Sequence, residues 1–147
     1  MSSYAQDFNQ WTVETADLLR DRRWADIDVA HLIEEVQDLG KRERRSIESY
    51  LVIILIHLLK WQYQPQRRSD SWTTSINNSR LQIEAEIEDS PSLKDYPNEV
   101  LEKAYSKARR KAAQQTGLSI DTFPELCPYA VDVILRDEWL PPAEDTL

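Results

Sequence analysis

Residues 47–63 read IESYLVIILIHLLKWQY, and nine of the ten positions from Tyr50 to Leu59 are apolar, His57 being the exception. A helix with apolar side chains on nearly every side has to be enclosed by its neighbours. A membrane span needs about 20 such residues, and this run has half that and is flanked by charge, so it reads as the central core helix of a folded domain. The rest of the chain supplies the enclosure. Two glycines, abundant Ala, Leu, Glu, Gln, Arg and Lys, and no period-two apolar runs predict an all-α protein. The expected fold is a compact bundle of five to six helices with short connections, and residues 1–147 form a single helical domain.

Working outward, a first helix is predicted from about Tyr4 to Asp21. Asp26 or Asp28 then caps a second, whose Val29, Leu32, Ile33, Val36 and Leu39 fall at helical spacing and are expected to pack. Gly40 closes or kinks that helix, and a solvated KRERR turn leads into the apolar one. Pro65 lies in the connection Gln64–Arg68. A helix capped by Asp70 or Ser71 carries Trp72, Ile76, Ile83 and Ile87 on one face. Tyr96-Pro97 opens a further helix ending at Gly117, with a seam of Val100, Leu101, Ala104, Tyr105, Ala108 and Ala112. A last helix of about Pro128 to Arg136 is expected to dock through Leu126, Tyr129, Ala130, Val133 and Ile134.

The order of blocks WADIDVAHLIEEVQDLGKRERRSIESYL, HLLKWQYQPQRRSDSWTTSINNSR, SPSLK and FPELCPY resembles the bacterial domain-of-unknown-function family 29 over nearly the whole chain. Its most specific part is His57 to Pro65 followed by Arg68 to Trp72 and Ser75-Ile76. The resemblance implies an all-helical bundle and brings no reaction, ligand or partner with it. Among residues matching the pattern, Asp28, Glu34, Glu35, Arg44, His57, Lys60, Trp61, Trp72 and Arg80 carry chemistry worth following.

Their chemistry supports modest roles. A histidine in an apolar run must find a hydrogen-bond partner, and Glu34 or Glu35 is the expected one if the preceding helix folds back through Gly40. The same carboxylates are alternative partners for Arg44, Arg80 or Lys60 in an ion pair that fixes helix order. His31 and Glu35 lie four apart, so with His57 they make a weak metal alternative, an enzyme centred on His57. Trp61, Tyr63 and Trp72 beside Lys60, Arg67 and Arg68 give a weaker nucleic-acid alternative through residues 60–80. Lys103, Lys107, Arg110 and Lys111 form a basic face that is either solvated or meets an acidic partner.

No nucleophile elbow, phosphate loop or cysteine cluster is present. Eighteen basic and 26 acidic residues give a net charge of −8, which disfavours polyphosphate binding. Cys127 is the only cysteine, and the N-terminus lacks the basic start and apolar core of a secretory signal, so a cytoplasmic location without membrane attachment is expected. The composite expectation is an interaction or scaffold protein rather than an enzyme, with no cofactor, a protein partner, and compatibility with a homodimer.

Overall fold

The computed structural model describes residues 3–142. Among them are five α-helices and no strand: α1 (Phe8–Arg20), α2 (Val29–Tyr63), α3 (Asp70–Asp89), α4 (Tyr96–Thr116) and α5 (Val131–Ile134), joined through four single 3₁₀ turns. The all-α expectation holds. The chain divides into two compact units, Met1–Arg42 and Glu43–Leu147.

In the first unit Asp7 caps α1, its carboxylate accepting from the Gln10 amide at 3.0 Å, and Asp28 does the same for His31 at the start of α2, at 3.3 Å. The unit buries little, since only Trp11 and Thr15 of its residues fall into the buried class. Val29, Ile33, Val36 and Leu39, expected to pack, are exposed. The correction has a simple cause. A two-helix hairpin has one contact line, and a stripe of five apolar residues on α2 is wider than α1 can cover.

A second correction concerns Gly40. It does not end a helix, because α2 runs 35 residues without interruption from Val29 to Tyr63. Glycine costs about 1 kcal/mol in a helix interior relative to alanine, too little to break a helix anchored on one side by a core.

That core belongs to the second unit. Ile47, Leu51, Ile54, Leu55, Leu58 and Leu59 of α2 are inaccessible to solvent, and Ile76 and Ile83 of α3, Ala104, Tyr105, Ala108 and Ala112 of α4, Phe123 and Ile134 close around them. The small residues along α4 let its backbone approach α2, as their spacing predicts. Gly117, at φ +75, ends α4 in the left-handed conformation that favours glycine, and its amide donates to Ala113. Ser69 occupies the N-cap position of α3, one residue before the predicted Asp70. The last helix is shorter than predicted, four residues, and Leu126 stays exposed while Tyr129 and Ile134 dock. No helix among the described residues is long and apolar enough to cross a membrane.

Candidate functional site

The structure disperses the residues that the sequence brought together. His57 is half-buried on α2, and its Nδ1–H donates to the carbonyl of Ile53 one turn back, at 2.7 Å. Burial pushes the imidazole pKa down; the hydrogen bond to Ile53 opposes this and the nearby Lys60 ammonium adds to it. The partner is therefore a backbone carbonyl and not Glu34 or Glu35. Glu35 instead accepts a hydrogen bond from the Tyr4 hydroxyl, which pushes that phenol up to about 12, and Glu34 is exposed. Glu35 and His57 lie 22 positions apart in the sequence of α2. His31 is occupied elsewhere, with Nδ1 2.5 Å from Asp28 Oδ2 and its ring stacked on Tyr4 at 4.1 Å. The His31, Glu35, His57 metal alternative is thus not assembled, and among the described residues no group of three or more His, Cys, Asp or Glu is placed to hold a metal ion.

The expected carboxylate pairing of the cations fails in the same way. Arg44 is exposed on α2. Arg80, on α3, is 4% exposed and donates through Nε to the Ile134 carbonyl and through Nη2 to the Trp139 carbonyl, both at 2.8 Å. Its Nη1 is buried without a partner. Burial lowers its pKa, and Asp137 works in the opposite direction. Arg80 is a clamp on the C-terminal segment, and its signal in the sequence was only its place on the same helical face as Ile76 and Ile83.

Lys60, Trp61, Trp72 and Arg68 engage one another. The Lys60 ammonium lies 5.7 Å from the centroid of the Trp72 ring, and the Arg68 guanidinium 4.7 Å from that of Trp61 while its Nε donates to the Trp61 carbonyl at 2.9 Å. Cation–π pairs of this kind hold the turn between α2 and α3 together. They also take up aromatic faces and charges that a single-stranded nucleic acid would use.

A different set of residues converges where α2 and α4 lie side by side in the second unit. A groove of about 490 Å³ has Val52, Ile53 and Ile56 as its apolar floor and Arg45, Lys103, Lys107 and Lys111 as its charged lining, with Glu48 and Ser49 between. Glu48 is 7% exposed and its carboxylate lies 2.8 Å from Lys107 Nζ and 3.7 Å from Lys103 Nζ. A buried carboxylate requires such partners. One carboxylate against four cations leaves the groove positive in a chain whose net charge is −8. The lysines recur at i, i+4 and i+8, which was legible in the sequence. Arg45 and Glu48 were missed, although Glu48 is the only acidic residue between Ile47 and Lys60 and sits one turn before Val52.

Fold and site together define an all-helical protein with a cationic, apolar-floored groove. The chain belongs to the family described as Domain of unknown function DUF29, whose family model matches residues 3–140. No curated protein and no solved structure matches the chain.

Proposed function

We propose that this chain is a small cytoplasmic interaction protein that receives an acidic amphipathic helix of a partner protein in the groove between α2 and α4. The observation that carries this reading is the pairing of an apolar floor with a cationic rim. Half-buried Ile53, flanked by the buried Val52 and Ile56, offers the apolar contact, and Lys103, Lys107, Lys111 and Arg45 offer charge beyond what Glu48 neutralises. From Arg45 to Ile56 the α2 side of the groove spans about 16 Å of helix axis, the length of three helical turns. An occupant with an apolar stripe at i, i+3, i+4 and i+7 and carboxylates on its flanks satisfies both features at once. A nucleic acid satisfies only the charge, and the lining contains no aromatic ring on which bases could stack. The single cysteine, Cys127, supports the cytoplasmic setting, because a chain with one thiol forms no internal disulfide and suits a reducing compartment.

The reading is tested by fluorescence anisotropy with a labelled helical peptide of about four turns carrying a Leu stripe flanked by Glu. Expected is micromolar binding that weakens with salt and falls about tenfold in the Lys103→Gln/Lys111→Gln protein. A Lys-flanked peptide of the same stripe is expected not to bind. Absence of binding, equal binding of both peptides, or tighter capture of a single-stranded oligonucleotide by the same lysines overturns it.

A further inference from the structure

The first unit carries a surface that the function proposed above leaves unused. Of the eleven large hydrophobic residues exposed in the described chain, eight lie in Met1–Arg42: Phe8, Val13, Leu19, Trp24, Val29, Ile33, Val36 and Leu39. Along α2, Val29, Leu32, Ile33, Val36 and Leu39 repeat at threes and fours, an arc about 120° wide. Glu35, Leu39 and Leu32 line a groove of about 360 Å³ whose other wall is Phe8, Thr12, Ala16 and Leu19 of α1. Leu39 of the exposed stripe thus shares one groove with the exposed Phe8 and Leu19 of α1.

We propose that this face binds a second copy of the chain, the two α1–α2 hairpins associating about a two-fold axis as an antiparallel four-helix assembly.

Two observations favour a second copy over other occupants. The first is area. At 38–60% exposure, Phe8, Leu19, Val29, Ile33, Val36 and Leu39 present surface on the order of 500 Å², comparable with the apolar share of the ~800 Å² that each partner buries in a standard interface. The second concerns the seam itself. Gly40 follows Val29, Ile33 and Val36 at helical spacing on the same face, and a residue without a side chain lets an opposing helix come closer. An anionic membrane surface fits poorly, because residues 1–42 hold nine Asp and Glu against five Lys and Arg. The inference stands on residues separate from the α2–α4 groove, so either proposal can fail alone.

Sedimentation equilibrium of the full chain tests it. The expected result is a species of twice 17.2 kDa at micromolar concentration. Val36→Glu is expected to weaken association at least about a hundredfold. Val36 is 60% exposed in the single chain, so the variant keeps its helical circular dichroism and the loss reads on association rather than folding. A single-chain mass for the parent at about 100 μM overturns the proposal. So does a Val36→Glu protein that still associates, or a parent that stays single in solution and partitions onto phosphatidylcholine–phosphatidylglycerol vesicles.

Discussion

Replacing Arg80 by methionine keeps an unbranched stem in the core and removes the guanidinium that holds the C-terminal segment. Two hydrogen bonds of 2.8 Å are lost, to the carbonyls of Ile134 and Trp139. Each carbonyl left unsatisfied at a buried position costs about 1–3 kcal/mol. The loss is offset in part, because a methionine carries no charge to desolvate and no counterpart of the partnerless Nη1. The expected net change is a destabilisation of about 3 kcal/mol, which for a chain of this size lowers the melting temperature by about 6–12 °C. Urea unfolding followed by circular dichroism reads the first quantity, and amide exchange across residues 131–140 reads where the loosening occurs. Arg80→Lys is expected to fall between, since an ammonium lacks the fixed fork that reaches two carbonyls at once. A midpoint equal to the parent's, or protection of residues 131–140 left intact, refutes the clamp.

Two further outcomes test the core and its histidine. Leu55 is fully buried, so Leu55→Ala is expected to cost about 2–5 kcal/mol through lost burial and the cavity left behind; an unchanged urea midpoint would contradict its central position. The His57 pKa is depressed in the folded chain, so the unfolded chain takes up the proton first. The stability contributed is complete above the ordinary histidine pKa of about 6.5 and is lost as pH falls through the folded value. Urea midpoints at about pH 8 and about pH 5 are expected to differ less in His57→Gln than in the parent, and an identical difference would exclude the histidine as a source.

The second unit was largely legible in the sequence, because its helices carry their own instructions. The apolar run from Tyr50 to Leu59, the seam on α4 and Gly117 each state a local requirement that the fold then meets. Two kinds of feature were not legible. Gly40 looked like a stop because propensity is local, whereas the helix through it is held by a core that begins seven residues later at Ile47. The partners of polar side chains were the other. His57, Arg80 and Arg68 all donate to backbone carbonyls, groups that every residue possesses and that no sequence pattern marks. Carboxylates were expected for His57 and Arg80 because carboxylates are visible in a sequence. The groove was half legible: the lysines at fours announced a charged face, but only the placement of α4 beside α2 puts Glu48 under it.

The continuity of α2 has a consequence for how that helix forms. All of its buried residues lie from Ile47 onward, and the turns from Val29 to Ser46 contain none. A peptide of that length alone would be marginal in water, because starting a helix fixes several residues before the first hydrogen bond is gained. Here the starting cost is met within the core, and each residue toward Val29 adds only a propagation step with one hydrogen bond of its own. The exposed half of α2 thus grows from the buried half like a zipper from a closed end, and its amides are expected to lose protection progressively toward Val29 rather than all together.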